Sequence, residues 1–132
     1  MNNSISNKDK AISQKKNYGI WKKNSLDKNG FFVIFNGFVE KDYLKKISGG
    51  ALKLYIYLGI HSDNSTGESF YSLKSISQYF NVSERTISNW FKELLRLKLI
   101  QRYQLEFNGV SHTYLNVYDA GKIRSLSSLR DL

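Results

Sequence analysis

The 132-residue chain predicts an α+β domain in which a group of helices is closed by a β-hairpin, and three observations point there. The first is the stretch Asn81-Val-Ser-Glu-Arg-Thr-Ile-Ser-Asn-Trp-Phe-Lys-Glu-Leu-Leu-Arg-Leu-Lys-Leu-Ile100, which reads as a tight turn followed by an amphipathic helix. Ile87, Phe91, Leu94 and Leu95 share one face of that helix, and Arg85, Ser88, Asn89 and Lys92 share the other. The second is another helical segment, Leu73 to Phe80, directly upstream. The third is a pair of β segments downstream that meet at Asn108-Gly109, a strong hairpin signal because both residues tolerate positive φ. This order is the one a winged helix-turn-helix requires: three to four core helices, a C-terminal β-hairpin wing and a short N-terminal strand.

The elements follow in order along the chain. Residues 1–17 are rich in Asn, Ser and Lys and show no sustained period, so a flexible basic tail is expected there. The domain itself is expected over residues 30–118. Phe31-Phe-Val-Ile-Phe35 is β-branched and aromatic and lies between Gly30 and Asn36-Gly37, which predicts the N-terminal strand. Residues 39–47 read as one short helix with Tyr43, Leu44 and Ile47 on a shared side, interrupted by Gly49 and Gly50. The apolar run over residues 51–60 fits a helix by length and by its flanking glycines and polar loop, although period alone also allows a buried strand. Ser69-Phe-Tyr71 suits a very short strand.

Ser72 is placed to cap the Leu73 helix, whose inner face holds Leu73, Ile76 and either Tyr79 or Phe80. Asn81-Val82 forms the turn and Ser83 caps the long helix. Trp90 is expected to pack against the wing. In the first wing strand, residues 99–107, the period-two set Gln101, Tyr103, Leu105 and Phe107 is assigned to the inner face. Residues 110–118 return as its partner. Ile123, Leu126, Leu129 and Leu132 recur every third residue in the C-terminal segment 119–132, which suits a closing helix or a frayed tail.

Composition narrows the function classes. The formal net charge is +9, of which residues 1–28 carry +5 (seven Lys, two Asp) and residues 29–118 carry +3 (ten Lys and Arg, seven acidic). Such a balance suits a polyanionic partner, and nucleic acid is the first candidate. The absence of cysteine excludes disulfides and thiolate metal sites, and His61 and His112 form no metal-binding spacing. No apolar run reaches membrane-spanning length and the N-terminus lacks the apolar block of a signal peptide, so a cytoplasmic protein is expected. Neither a catalytic triad nor a phosphate-loop glycine pattern is present, which argues for a non-enzyme without cofactor, and no small-molecule motif stands out.

The polar side of the long helix suits duplex DNA. A major groove admits a helix and displays a distinct donor and acceptor pattern for every base pair. Arg85 can fork onto guanine O6 and N7, and Asn89 can pair with adenine N6 and N7. Thr86 and Ser88 suit phosphate or base; Lys92, one turn deeper, suits phosphate. Ser72 and Lys74 lie at the start of the preceding helix, where unpaired amides favour a phosphate. Ser83 caps the reading helix at its DNA end. Arg102 and His112 flank the wing and Asn108 is at its tip, all within reach of the neighbouring backbone or minor groove.

Over residues 31–118 the chain resembles the winged helix-turn-helix domains of plasmid and phage replication proteins and of mobile-element regulators. The segments that carry the likeness are Gly50-Ala-Leu-Lys-Leu-Tyr-Ile-Tyr-Leu-Gly-Ile, Glu68-Ser-Phe-Tyr-Ser-Leu-Lys-Ser-Ile and Asn81-Val-Ser-Glu-Arg-Thr-Ile. The resemblance implies base contacts on the second helix of the motif, here residues 83–92. Where such proteins often have glycine between the last helix and the strand, this chain has Lys98. The expected function is therefore sequence-specific binding of double-stranded DNA in transcription or replication control of a plasmid, phage or mobile element. A dimer would imply an inverted-repeat site. The competing readings are a protein-interaction module on the same fold and a single-stranded DNA binder that uses aromatic rings as stacking platforms.

Overall fold

The computed structural model describes residues 4–105, 109 and 111–118. The described chain divides into two units, Met1–Phe31 and Phe32–Leu132.

The first unit is helical. Helix α1 spans Asn7–Asn24 and is followed by a single π-helical turn, Ser25–Asn29, that ends at Gly30 with φ 76°. The segment expected to be a flexible tail is thus largely helix. Its cause is local. Ser6 accepts the Asp9 amide proton at 3.1 Å and donates to the Asp9 carboxylate at 2.9 Å, while Lys22 and Lys23 face the negative end of the helix dipole. No residue of α1 is buried, so it has no apolar stripe, and periodicity could not reveal it.

The second unit holds the core. Residues 31–35, expected to be a strand, join no ladder among the described residues. Phe32 seats its ring over Gly59, where any Cβ would collide with it, and stacks edge-on to Tyr55 at 5.7 Å. The Phe35 amide donates to the Tyr118 hydroxyl at 2.7 Å. Of this segment only Phe32 packs against the core, while Phe31, Val33, Ile34 and Phe35 are exposed, so its β-propensity here goes with one seated ring and not with strand pairing. Two short helices follow, α2 (Gly37–Glu40) and α3 (Tyr43–Lys46), where one was expected. Asp42 breaks them at φ 63°, a left-handed conformation that its short polar side chain tolerates. Of the three residues expected on one side, Tyr43 and Ile47 pack against the core, but Leu44 is exposed.

Helix α4 (Gly49–Ile60) starts two residues earlier than expected, because Ser48 caps it by accepting the Ala51 amide proton at 3.2 Å. Ala51, Leu54, Tyr55 and Leu58 are buried and form the centre of the core with Phe38, Ile76, Ile87, Phe91, Leu94, Leu99 and Ile100. Strand β1 (Glu68–Ser69) lies one residue before its expected place. Helices α5 (Leu73–Phe80) and α6 (Glu84–Arg96) form the tandem pair, and β2 (Ile100–Gln104) and β3 (Ser111–Leu115) the hairpin. The antiparallel sheet has the order β1-β3-β2, with Arg102 opposite Thr113 and Ser69 opposite Thr113 on the other side.

That register corrects the assignment of the wing faces. Ile100 and Thr113 are buried, and Arg102 lies on their side against α6, whereas Gln101, Tyr103 and Leu105 are exposed. Arginine was counted as an outward residue, but its guanidinium is flat and packs on a ring: Arg102 Cζ sits 4.0 Å from the Phe91 centroid. The tip residue Asn108, Phe107 and the segment 119–132 lie outside the described residues.

Candidate nucleic-acid interface

Local rules fix α6 at both ends. At its start Ser83 accepts the Thr86 amide proton at 3.1 Å, and the two hydroxyls lie 2.9 Å apart. The turn before it is built the same way as the turn after it. Helix α5 ends at Asn81, φ 56°, with Val82 N–H donating to Ser77 O and Asn81 N–H to Gln78 O. Helix α6 ends at Lys98, φ 60°, with Leu99 N–H donating to Leu94 O and Lys98 N–H to Leu95 O, both at 3.0 Å. Each is a Schellman motif, in which a left-handed residue lets two terminal carbonyls find partners. Leu94 and Leu99 supply the apolar contact that accompanies it, and both are fully buried. Lys98 thus occupies the left-handed position that glycine would fill without strain.

The middle of α6 is fixed by α4. Trp90, expected on the wing, is seated against α4 and α5. Its indole lies over Gly50, at a site with no room for a Cβ, and edge-on to Phe80 at 5.6 Å. The Glu93 carboxylate accepts the Ser48 amide proton at 2.6 Å, which ties α6 to the start of α4. Ile87, Phe91 and Leu94 are the buried face, while Leu95, assigned to it from sequence, is 37% exposed and belongs to the rim.

What remains outside is a stripe. Arg85, Asn89 and Lys92 are exposed, with Thr86 and Ser88 half-buried beside them. Arg96, overlooked in the sequence, continues the line: 85, 89, 92 and 96 follow the i, i+4, i+7, i+11 spacing of one helix face, and Arg96 is exposed. Neither Arg85, Lys92 nor Arg96 has an ion-pair partner among the described residues. With Glu93 turned toward Ser48, the stripe carries three cations.

The other candidate residues divide. Ser72 caps α5, accepting the Ser75 amide proton at 3.1 Å, and Lys74 is exposed on the first turn. Arg102 does not flank the wing as a solvated side chain. It is half-buried behind α6, its Nε has no hydrogen-bond partner among the described residues, and desolvation pulls its pKa below the usual arginine value. His112 lies on the opposite, outer face of the sheet. Its Nδ1 donates to Glu68 at 2.7 Å and its ring rests against Phe70 at 5.3 Å. The structure thus brings together the α6 residues and leaves His112 on a different surface.

Among the described residues no group of three or more His, Asp and Glu is placed to hold a metal ion, and no helix is long and apolar enough to cross a membrane. No curated protein and no solved structure matches the chain. A family described as "Helix-turn-helix domain" matches residues 45–100, from the end of α3 to the first residue of β2. That match contains both Schellman turns and the whole of α6; the hairpin beyond it is supplied by the structure. The central part of the chain is therefore similar to a helix-turn-helix domain, and its helices with the β2–β3 hairpin make a winged-helix-like arrangement, which is consistent with binding DNA.

Proposed function

We propose that this protein reads a short site in double-stranded DNA with α6 and acts in replication or transcription control of a plasmid, phage or mobile element. One observation carries the reading: the single-sign stripe Arg85–Asn89–Lys92–Arg96 stands on a helix whose opposite face is sunk in the core and whose two ends are capped. A helix held this way presents its donors at a fixed angle, which base readout requires. Arg85 and Asn89 read base edges; Lys92 and Arg96 meet phosphates, as do Ser72 and Lys74 at the start of α5. Arg102 acts from behind α6, stacked on Phe91.

The test is selection of duplex sites from a random pool, followed by affinity measurement across a salt series. A duplex reader yields an enriched site and a steep loss of affinity with salt. Arg85→Ala lowers affinity for that site by about 1–3 kcal/mol and leaves random DNA nearly unaffected. Equal loss on both would move Arg85 to a phosphate role, and no enrichment would sink base readout.

A second reading has an observation of its own. On the outer face of the sheet, Phe70 and Tyr103 are 63% and 54% exposed, and Tyr103 lies 5.7 Å from Tyr114. Exposed rings in a row can stack unpaired bases. Glu68 on the same face opposes a polyanion, which ranks this reading second. Competition between single and double strands separates the two.

A further inference from the structure

A cavity of about 620 Å³ lies beside the core, walled by the 32–35 segment, Tyr55 of α4, the 64–67 loop and the 115–118 strand exit. We propose that it is a binding site for an uncharged, mainly apolar small molecule with a hydrogen-bonding edge. We further propose that its occupancy is linked to the end of α6.

Three observations support the site. Its volume falls within the roughly 300–1,000 Å³ of small-ligand pockets. None of its twelve lining residues is charged, although 23% of the chain is charged and about three would be expected. A nucleic acid or an acidic peptide would call for cations that this wall lacks. The walls are also tied together before any ligand arrives. Phe35 N–H donates to the Tyr118 hydroxyl at 2.7 Å, and Leu115 N–H donates to Gly67 O at 3.0 Å. Such ties lower the ordering cost of binding. The polar edge is supplied by the loop, where the Asn64 amide has no partner among the described residues.

The obvious rival occupant is the chain's own C-terminal segment, which begins one residue after Tyr118. Five of its fourteen residues are charged (Asp119, Lys122, Arg124, Arg130, Asp131), a poor match for an uncharged wall.

The link to α6 runs through Asn116, which lines the cavity. Its side-chain amide donates to Lys98 O and its backbone N–H to Leu99 O, both at 2.9 Å. These are the residues of the turn that ends α6. A ligand that favours one position of Asn116 therefore biases that turn, and through it the stripe. This second half rests on the DNA-reading function; the cavity assignment does not.

The experiment titrates the full ¹⁵N-labelled chain with indole, an uncharged ring with one N–H donor, and with the charged analogues tryptamine and indole-3-acetate. Saturable shifts with indole alone are expected in residues 64–67 and 115–118, extending to Lys98 and Leu99. Val33→Trp and Ser65→Trp, which add bulk to the lining from two different segments, should each abolish them. The cavity assignment is overturned by shifts elsewhere, by none in the wild type, or by shifts that appear only in Leu126→Lys/Leu129→Lys, which would show the C-terminal segment already in place. DNA affinity measured with and without saturating indole should differ about five-fold or more. An unchanged affinity with the cavity filled overturns the link alone. Absence of DNA binding in both states would be a failure of the DNA-reading function, which the indole shifts do not require.

Discussion

Adding one methyl group to Gly50 tests how α4 holds α6. A Cβ there would fall 2.6 Å from Trp90 Cζ2 and closer still to Nε1 and Cε2. Ordinary carbon contacts are about 3.5–4.0 Å, so the overlap is on the order of 1 Å. The indole cannot simply step aside, because Phe80 meets it edge-on at 5.6 Å. Overpacking of this kind costs about 1–3 kcal/mol. Against it stands the helix preference of alanine over glycine, at most about 1 kcal/mol and smaller in a first turn. Gly50→Ala should therefore destabilise the fold by roughly 1–2 kcal/mol.

The neighbouring glycine is the control. Nothing lies within 4 Å of a Cβ at Gly49, so Gly49→Ala keeps only the favourable part, about 0.5–1 kcal/mol. The two variants differ by one position and should move in opposite directions. Urea unfolding reads the difference directly, and in thermal unfolding the gap should be on the order of 10 °C. Trp90→Leu in the Gly50→Ala background should recover part of the loss relative to Trp90→Leu alone, a coupling that locates the clash. Equal stabilisation by both alanines would refute the close approach of α4 and α6, and with it the anchoring of the stripe.

Three further outcomes follow from the same geometry. Lys98→Gly should stabilise by up to about 1 kcal/mol, since glycine removes a left-handed strain of about 1–2 kcal/mol and adds about 0.5–1 kcal/mol of chain entropy; a destabilised variant in chemical denaturation would contradict the Schellman turn. Arg102→Met keeps an apolar stem over Phe91 and removes an Nε that has no hydrogen-bond partner among the described residues, so stability should stay within about 1 kcal/mol while DNA affinity falls; a large loss of stability would make the ring contact structural. Burial and the Tyr118 hydroxyl push the Tyr55 pKa well above its ordinary 10.0. The unfolded chain therefore ionises first, so the Tyr55 contribution is intact below pH 10 and is lost as pH rises beyond it, by up to about 1.4 kcal/mol per pH unit. Urea midpoints between pH 9 and 11 should fall more steeply for the wild type than for Tyr55→Phe, and parallel slopes would contradict the shift.

The parts legible in the sequence are those written in local period and local caps. Ile87, Phe91 and Leu94 repeat at helical spacing, Ser72 and Ser83 are capping residues, and Asn81 is a residue that tolerates the left-handed conformation; α5, the turn and α6 follow from these alone. Contacts between distant segments were not legible. Phe31-Phe-Val-Ile-Phe35 has strand composition, but its partner is a hole over Gly59, which no local pattern shows. The inner face of β2 was misread because a polar label hid the flat ring-stacking surface of Arg102. Trp90 was assigned to the wing because only the structure shows that Gly50 leaves space for it. Arg96 was legible and overlooked, since the i+11 position continues a line already drawn through Arg85, Asn89 and Lys92. The cavity could not be read at all, because its walls come from four stretches brought together only by the fold.

The anchoring also explains why the stripe keeps one sign of charge. Helix α6 carries two acidic residues, Glu84 and Glu93. Glu84 sits in the first turn, where the helix dipole stabilises a carboxylate. Glu93 lies one residue beyond Lys92 and would weaken the field of the stripe if it were solvated beside it. Its carboxylate instead accepts the Ser48 amide proton, so one side chain joins α4 to α6, and Lys92 and Arg96 have no ion-pair partner among the described residues. A helix tied down by this carboxylate and by Trp90 on one side, and by a left-handed lysine at its exit, is fixed before any DNA is met. Positioning and charge selection are then the work of the same few residues, and loss of the Glu93 contact would disturb both together.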